Sequence, residues 1–499
     1  MSTNNKPNIL FLVADQFRAD TLGCLGHPDI QTPNYDALAA DGTIFTNAYS
    51  PNPVCVPARA SMITGNYPHK CLHNPDNPKS NSGEIKEDQI KLPQLLAENG
   101  YKTYSAGKLH YLPYTDANQE HTLHGFQKAA LAESGRILKQ YDPKNEKRNV
   151  EEYMDYVEDV GWKGFSRAHG IGNNDIHPAP SPLPQEHCVD AWVATKTIEY
   201  LDEHLNDSPD KPFMMHASFP KPHSPYDPPR PYDQMYDPKT IQKPAINKDG
   251  KPRSPHMVVN SITHGIDLLS PEAYLVARAH YYGLISFQDK QVGKIIDYLK
   301  SKDLYENTII VFMADHGDMM GDFGFFFKSN MHEGSVKIPM IISWPDKLPK
   351  SQVNHSLVGL QDIVPTITAL VDIPLTKNVD GENLKETIET NQNDLRETIV
   401  SYSMEHPNQN YMIRDHTWKY IYSEANGVEE LYNLNDDPRE ETNLIDKERS
   451  IADNFKARLI EWTIENKEDK ILSNGKLVKT ALDLSQIKFM EKSMGWRWY

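Results

Sequence analysis

Two apolar runs of strand length, far apart in the chain, constrain the fold most strongly. Ile9–Val13 and Thr308–Ala314 are continuously apolar and lack the alternation of a half-buried strand. Such runs are typical of strands buried on both faces, as in a parallel sheet covered by helices. Helical patterns lie between the apolar runs, for example Leu92–Gly100, which ends at a glycine. The chain is therefore predicted to be an α/β protein.

Both apolar runs end abruptly in polar residues, Asp15-Gln16 after the first and Asp315-His316 after the second. Ligands of open α/β sheets bind just beyond the carboxyl ends of the strands. If the two strands are neighbours, the four side chains converge on one cation. Mostly oxygen ligands suit Ca²⁺ or Mg²⁺, and the histidine also admits Mn²⁺. An isolated Asp-Gln pair is more typical of a turn, so this metal-site hypothesis depends on the rest of the chain.

A third feature is Cys55-Val-Pro-Ala-Arg59, which leads into Ala-Ser-Met-Ile-Thr-Gly65. Taken alone, this pattern is typical of a half-buried cysteine before a helix. Together with the preceding segment Thr32–Tyr49, it resembles the signature of the type I sulfatases. The resemblance implies that Cys55 is oxidised to formylglycine by a formylglycine-generating or anaerobic sulfatase-maturating enzyme. The hydrated aldehyde would then be the nucleophile that attacks a sulfate ester.

Three further segments match the family pattern in the expected order. Gly107–His110 resembles its Gly-Lys-x-His element, Ser218–Pro225 its Pro-His-x-Pro element, and Lys328 its second lysine. The similarity extends from Lys6 to Asn443. It implies an alkaline-phosphatase-like fold, in which helices sandwich a large mixed, mostly parallel sheet. It also implies a smaller C-terminal α+β subdomain built on an antiparallel sheet.

The resemblance also implies a set of site residues. The implied catalytic residues are Cys55, Arg59, Lys108, His110, His223 and Lys328. The implied ligands of a single ion, Ca²⁺ or alternatively Mn²⁺ or Mg²⁺, are Asp15, Gln16, Asp315, His316 and an oxygen of the modified Cys55. The two lysines would stabilise the sulfuryl oxygens, and His223 would protonate the departing oxygen. His110 would then help to release sulfate from the covalently sulfated enzyme.

One departure from the common family pattern narrows the choice of branch within the family. Many sulfatases have paired Asp after the first strand and Asp-Asn after the later one, whereas this chain has Asp15-Gln16 and Asp315-His316. That combination is similar to the branch of choline-sulfatases and phosphonate monoester hydrolases. Ala58 stands where many members have serine, but the Cys-x-Pro-x-Arg skeleton is intact. Metal identity and leaving-group preference therefore stay open.

Composition excludes some classes of partner. The net charge of −17 over 499 residues argues against nucleic-acid binding. An anionic substrate must then be attracted by a local basic pocket of Arg59, Lys108, Lys328 and the cation. No segment approaches a transmembrane span and no signal peptide is visible, so a cytoplasmic enzyme without membrane partners is predicted. A periplasmic or secreted enzyme would follow if a signal peptide had been removed.

The chain is predicted to divide into a catalytic domain, residues 1–375, and a C-terminal subdomain with its tail, residues 376–499. Two polar insertions, near 111–185 and 224–262, are expected to shape the pocket, the first as an irregular lid. The alternative for the first is a simple surface insertion. The aromatic tail Met494–Tyr499 is predicted to dock on the body or on the partner subunit of a homo-oligomer.

Several substrates are compatible with this pattern. Residues 166–177 supply histidine, asparagine and arginine side chains that could bond a sugar. Choline sulfate would need an aromatic cage, which the tyrosines of the first insertion could offer: Tyr111, Tyr114, Tyr153 and Tyr156. A sulfated mono-, oligo- or polysaccharide is preferred, with choline sulfate and phosphonate monoesters or phosphodiesters as alternatives. A non-catalytic binder of sulfated ligands is disfavoured, because binding alone would not need the cysteine.

Overall fold

The computed structural model describes residues 6–73, 83–110, 123–133, 148–403 and 408–487. The helices are α1 Pro33–Ala40, α2 Cys55–Thr64, α3 Pro68–Cys71, α4 Leu92–Glu98, α5 Glu152–Asp159, α6 Val189–Asp207, α7 Pro255–His264, α8 Pro271–Ser301, α9 Glu333–Val336, α10 Ile363–Leu370, α11 Lys385–Thr390 and α12 Arg449–Glu465. The strands are β1 Asn8–Asp15, β2 Thr43–Tyr49, β3 Leu72–His73, β4 Glu84–Ile85, β5 Lys102–Gly107, β6 Lys128–Leu131, β7 Phe213–Pro222, β8 Thr308–Ala314, β9 Lys337–Ile338, β10 Met340–Ser343, β11 Gln352–Gly359, β12 Ile399–Ser403, β13 Asn410–Arg414, β14 Trp418–Ser423, β15 Val428–Asn433, β16 Leu472–Ser473 and β17 Lys476–Leu477.

The main sheet has the strand order β11-β2-β10-β8-β1-β7-β5-β6, with β9 also paired to β2. β1 lies at its centre, parallel to both β8 and β7, and β5 is parallel to β7 and β6. Only β10 and β9 run antiparallel to their partners among the described strands of this sheet. Helix α6 packs on β5 and β7 and against α8, whereas α2 packs against α4 and α10. The predicted mixed, mostly parallel sheet with covering helices is confirmed.

The register of the central strands places the polar residues that follow them side by side. Every residue of β1 and β8 is buried, which explains their continuous apolar sequence. Ala14 of β1 pairs with Ala314 of β8, so Asp15 and Asp315 leave neighbouring strands side by side. On the other side of β1, β7 and β5 end in the same direction. The carboxyl ends of four adjacent strands therefore meet at one edge of the sheet.

The C-terminal part contains a four-stranded antiparallel sheet in the order β12-β13-β14-β15. One face packs on α12, where Phe455 and Leu459 join the tyrosines of the sheet in one apolar cluster. Side chains of the other face, including Met412 and Ile421, cluster with Tyr49 of the main sheet. This arrangement confirms the predicted smaller C-terminal subdomain, while the division of the chain at residue 375 stays a prediction.

The prediction that residues 111–185 form a wholly irregular insertion is wrong in two places. Lys128–Leu131 forms β6, the last strand of the main sheet, and Glu152–Asp159 forms α5. A four-residue edge strand with an exposed lysine carries no continuous apolar run, so the sequence pattern did not reveal it. The stretch 173–184 contains neither helix nor strand, as predicted. In the second insertion, α7 begins at Pro255.

Within the described part of the chain, no helix has the length and apolar character needed to cross a bilayer. The predicted aromatic tail 494–499 and two of the four candidate cage tyrosines, Tyr111 and Tyr114, lie outside the described residues.

Candidate active site

Four predicted metal ligands meet where β1, β8 and α2 come together. One ligand atom from each of Asp15, Cys55, Asp315 and His316 lies within 4.8 Å of the others, and all four residues are buried. His316 Nε2 is 3.7 Å from Asp15 Oδ1 and 3.6 Å from Asp315 Oδ1. Cys55 Sγ lies 3.2 Å from the same nitrogen and 3.7 Å from Asp15 Oδ1. The structure thus brings together residues from three separate parts of the sequence.

This donor set fits a divalent cation. His316 Nδ1 is 3.0 Å from the carbonyl oxygen of Gly317, and donation there leaves the Nε2 lone pair for the cluster. Two carboxylates and one imidazole suit Ca²⁺, Mn²⁺ or Mg²⁺. The sulfur of Cys55 occupies the place that an oxygen would take after oxidation to formylglycine. The ion would be held by the side chains of Asp15, Asp315 and His316 and by an oxygen of the modified residue 55.

Gln16, the fifth predicted ligand, has both ends of its amide engaged. Its Oε1 accepts a hydrogen bond of 2.6 Å from Lys328 Nζ, and its Nε2 donates to the carboxylate of Asp318. Its backbone is in the left-handed region, φ 68°, and its N–H donates to Asp315 Oδ1 at 3.0 Å. Coordination of the cation by Gln16 therefore stays a prediction.

Cys55 and Arg59 are one turn apart on α2. Cys55 is the first residue of this helix, where the positive end of the helix dipole favours a thiolate. Arg59 is fully buried, and its Nε donates to Asp315 Oδ2 at 2.8 Å. Its Nη1 donates to Lys108 O and Ser218 Oγ, each at 2.9 Å. Arg59 thereby ties three of the strand ends to the helix that carries the cysteine.

Lys108 and His110 follow directly after β5. Gly107 has φ 105°, and an added Cβ there would lie 1.8 Å from the carbonyl oxygen of Ser218, so only glycine fits. Lys108 is buried, and its ammonium contacts the carboxylate of Asp15. His110 has φ 58°, a conformation that costs energy for any residue with a side chain. The Gly-Lys-x-His element is thus a tightly constrained turn at the edge of the cluster.

His223 and Lys328 form a pair next to Gln16. Lys328 Nζ lies 2.7 Å from His223 Nε2, and His223 Nδ1 lies 2.8 Å from the carbonyl oxygen of Ser224. Donation from Nδ1 to that carbonyl leaves Nε2 to accept from the ammonium. Phe327 and Ser329, which flank Lys328, both have positive φ. Such strained backbone is typical of functional sites.

The electrostatics of the cluster favour anions at its centre. Burial and Asp15 oppose ionisation of Cys55, but Lys108, Lys328 and His316 outweigh them and lower the pKa of the thiol to about 7. Burial also opposes ionisation of Asp15, yet its cationic neighbours, Lys108 first, hold the pKa of that carboxyl well below its usual range. The cluster therefore suits both a reactive group at position 55 and a negatively charged substrate.

Some residues around the site carry no sequence signal of their own. Ser218 bonds Arg59, and the buried Asp318 accepts from Gln16 and from the hydroxyl of Tyr226 at 2.7 Å. Asp318 also accepts from two backbone N–H groups. These contacts depend on turn geometry, so a sequence pattern could place Asp318 near the site but not define its role.

The loop 166–177 lies beside His223. Ser224 Oγ donates to the carbonyl oxygen of Asn173 at 2.5 Å, and Asp175 Oδ1 lies 2.6 Å from His177 Nδ1. His264 of α7 lies near Asp175 and stacks edge-on, 5.2 Å away, with Phe327. The loop is thus held against the segments that carry the His223–Lys328 pair.

Two of the tyrosines predicted to form a cage have other contacts. Tyr153 is buried, donates to His187 O at 3.0 Å and packs 5.4 Å from the ring of Trp192. Tyr156 lies 2.8 Å from His187 Nδ1. Both side chains belong to the layer between α5 and α6.

Comparisons with known proteins agree with this geometry. The family model described as Sulfatase matches residues 7–373, and a model described as N-sulphoglucosamine sulphohydrolase, C-terminal, matches residues 321–492. An arylsulfatase of Clostridium perfringens is 30% identical over 492 residues, which cover 95% of this chain and 98% of that protein. A choline-sulfatase of Rhizobium meliloti is 26% identical over 462 residues, or 90% of this chain and 85% of that protein.

A phosphonate monoester hydrolase of Agrobacterium radiobacter has a similar crystal structure. The TM-score is 0.75 at 23% identity, and the match covers 92% of this chain and 96% of that one, which shows a shared fold. The sulfatase model spans most of the chain, and the arylsulfatase matches nearly its full length. The chain therefore belongs to the sulfatase family and is a sulfuric ester hydrolase.

Proposed function

We propose that this sulfatase hydrolyses sulfate esters of carbohydrates. Its nucleophile would be a formylglycine made from Cys55, and it would use one divalent cation, for which Ca²⁺ is the first choice. The family relationship supports the modification, which a sulfatase-maturating enzyme would perform. The buried position of Cys55 among Asp15, Asp315 and His316 supports the ion. Hydrated formylglycine supplies two hydroxyl groups on one carbon, one to attack sulfur and one to expel sulfate. A bound cation supplies stabilisation of negative charge on the sulfuryl oxygens.

The side chains around position 55 would orient the substrate and move protons. Lys108 and Lys328 place ammonium groups on two sides of the cluster and stabilise the charge of the sulfuryl group. Arg59 holds the backbone of Lys108 and the carboxylate of Asp315, which fixes the geometry of the reacting centre. His223 delivers a proton from Nε2 to the departing oxygen, and His110 takes one in the release of sulfate.

The preference for a carbohydrate depends chiefly on the loop 166–177. Its Asn173 carbonyl accepts from Ser224, the neighbour of His223, which is the proposed donor to the leaving group, and the contacting pair Asp175 and His177 follows in the same loop. A sugar alcohol would therefore depart into surroundings rich in hydrogen-bonding groups, which suit its hydroxyls. Choline sulfate is less favoured because Tyr156 packs against His187 and Trp192, so that Tyr153 alone of these two tyrosines borders the cavity that His223 also lines. The match of residues 321–492 to a sulphoglucosamine sulphohydrolase model also supports a sugar.

A phosphonate monoester or phosphodiester hydrolase is the second candidate, favoured by the sequence combination of Asp15-Gln16 with Asp315-His316 and by the shared fold. Rates on a glucosamine sulfate, choline sulfate, 4-nitrophenyl sulfate and a phenyl phosphonate ester would separate the candidates. We expect the highest kcat/KM for the sugar among the natural esters. A faster reaction with choline sulfate or with the phosphonate would overturn the carbohydrate assignment.

The nucleophile can be tested with two cysteine variants. Cys55→Ala should abolish turnover, and mass spectrometry of the wild-type peptide should show the aldehyde at this position. Cys71→Ala is a matched control, because Cys71 is also buried and free but lies at the end of α3. Turnover that survives in Cys55→Ala would refute the formylglycine mechanism.

The contribution of the loop can be tested at His177. His177→Ala should raise KM for the sugar sulfate about tenfold and leave the aryl sulfate nearly unchanged, since one lost hydrogen bond costs roughly 1 kcal/mol. His355→Ala is the control, because His355 is an exposed histidine of the edge strand β11. Equal effects on both substrates would contradict a sugar contact by this loop.

A further inference from the structure

The turn that carries Lys108 and His110 is held by a carboxylate that follows the edge strand of the main sheet. Glu133 lies two residues after β6 and is fully buried. Its Oε1 accepts hydrogen bonds from the backbone N–H of Leu109 at 2.7 Å and of His110 at 2.9 Å. One oxygen atom thus binds two consecutive amides of the proposed catalytic element.

The rest of that turn is fixed by other contacts. The N–H of Lys108 donates to Ser218 O at 3.0 Å, and its carbonyl oxygen accepts from Arg59. The N–H of Ala132 donates to Gly107 O at 3.0 Å. These bonds hold the turn up to Lys108, and the contacts of Glu133 continue the restraint to His110.

The conformation of His110 needs such a restraint. Its φ of 58° is unfavourable for a residue with a Cβ, and the chain would relax to ordinary angles without a compensating contact. Relaxation at this residue would change the direction of the imidazole. The N–H groups of Leu109 and His110 would also lose their acceptor in a buried environment, which is itself unfavourable.

Glu133 is held in turn by α5. Its own N–H donates to Glu151 Oε1 at 2.8 Å, and the N–H of Leu131 donates to Glu152 Oε2 at 2.7 Å. Both glutamates lie at the start of the helix. A continuous set of hydrogen bonds therefore runs from α5 through the end of β6 to the turn after β5.

We propose that Glu133 is a positioning residue: its carboxylate sets the backbone of Leu109 and His110, and thereby the place of the His110 imidazole at the reacting centre. The proposal rests on the proposed function for the role of His110. The hydrogen bonds themselves are independent of that role and can be measured separately.

Three substitutions distinguish positioning from general stability. Glu133→Gln keeps an acceptor oxygen at the same reach, Glu133→Asp keeps the charge but withdraws the oxygens by one methylene, and Glu133→Ala removes the acceptor. Asp289→Ala is the matched control. Asp289 is also buried and accepts from two consecutive amides, Asn34 at 3.0 Å and Tyr35 at 2.8 Å, away from the site.

The first measurement is hydrogen–deuterium exchange of peptides that span residues 107–110. Exchange there should rise on the order of tenfold in Glu133→Ala and Glu133→Asp, and stay near the wild-type rate in Glu133→Gln. Asp289→Ala should raise exchange at residues 34 and 35 instead. Unchanged exchange at residues 107–110 in the Asp and Ala variants would overturn the proposal.

The second measurement is steady-state hydrolysis of 4-nitrophenyl sulfate by the same proteins. Because a displacement of about 1 Å can cost about 10²-fold, kcat should fall by that order in Glu133→Ala and Glu133→Asp, with a much smaller change in KM. Glu133→Gln and Asp289→Ala should stay within about threefold of the wild-type kcat. An equal loss in Glu133→Gln, or in Asp289→Ala, would show a merely structural role.

The two measurements separate this inference from the proposed function. A wild-type protein that does not hydrolyse sulfate esters would refute the proposed function, and exchange at residues 107–110 would still test the hydrogen bonds. An active wild type with unaltered kcat in Glu133→Asp and Glu133→Ala would refute the positioning role alone. Should Glu133→Ala fail to fold, the comparison of the Asp and Gln variants decides.

Discussion

The pair of His223 and Lys328 gives a prediction whose size depends on the leaving group. His223 Nδ1 lies 2.8 Å from Ser224 O, and Nε2 lies 2.7 Å from Lys328 Nζ. The Lys328 ammonium therefore keeps its charge beside the bound ester and gives up a proton, through Nε2, only as the leaving oxygen departs. General acids of this kind contribute about 10²–10⁴-fold, or roughly 3–5 kcal/mol of the barrier.

His223→Ala should lose this contribution only where the leaving oxygen needs a proton. A sugar alcohol needs one, whereas a nitrophenolate departs without it. We therefore expect the sugar sulfate rate to fall about 10²–10⁴-fold and the aryl sulfate rate to fall less than about tenfold. His110→Ala should lower both rates by a similar factor, because release of sulfate is common to both substrates.

The assay is the ratio of kcat/KM for a sugar sulfate to that for 4-nitrophenyl sulfate. His216→Gln is the matched control: His216 is buried on β7, the strand that ends just before His223, but its Nδ1 lies 2.9 Å from Ser105 Oγ. That variant should keep the wild-type ratio. His110→Ala should also keep the ratio, although both of its rates fall. If His223→Ala keeps the ratio, its assignment is wrong and Lys328 becomes the candidate acid, and a changed ratio in His110→Ala would contradict its role in sulfate release.

Three further outcomes follow from named contacts. Asp315→Asn should lower the metal content of the purified protein and its turnover together, and a metal-replete but inactive variant would assign Asp315 another role. Lys419→Met should lower the free energy of unfolding in urea by about 3–5 kcal/mol, because the buried ammonium bonds Glu333 and Glu440, each at 2.8 Å. A loss below about 1 kcal/mol would contradict that estimate. Burial lowers the pKa of His216 from 6.5 to about 3, so the unfolded chain binds a proton first and stability should fall as the pH drops through that window. His216→Gln should lose less stability over the same window, and parallel curves for the two proteins would refute this.

The strands of the main sheet could be predicted where burial is complete. β1 and β8 are covered on both faces, so their sequences are continuously apolar and their carboxyl ends could be placed together. Strand β6 could not be predicted, because an edge strand of four residues has only two buried positions. Its place in the sheet depends on pairing with β5, a long-range contact that leaves no period in the sequence.

The site could be predicted as a set of residue types but not as a network. The order of Cys55, Lys108, His223 and Lys328 along the chain, together with the family resemblance, identified the residues that the structure brings together. The role of Glu133 could not be inferred, because it depends on β6 and on the left-handed turn at His110.

The contacts of Gln16 explain how a strongly acidic chain can keep the charge of Lys328 available at the site. The ammonium of Lys108 contacts Asp15 and the guanidinium of Arg59 contacts Asp315, so each of these charges has a partner. Lys328 differs, since within the described part of the chain its hydrogen bonds go to the amide oxygen of Gln16 and to His223. A carboxylate at position 16 would neutralise that ammonium, whereas the amide orients it and leaves its charge for the substrate. The carboxylate of Asp318 accepts from the Nε2 end of the Gln16 amide and so fixes the orientation of that amide. Its effect on Lys328 is exerted through Gln16. A Gln at position 16 thus leaves the site with one negative charge fewer than an Asp there would, within a chain whose net charge is −17.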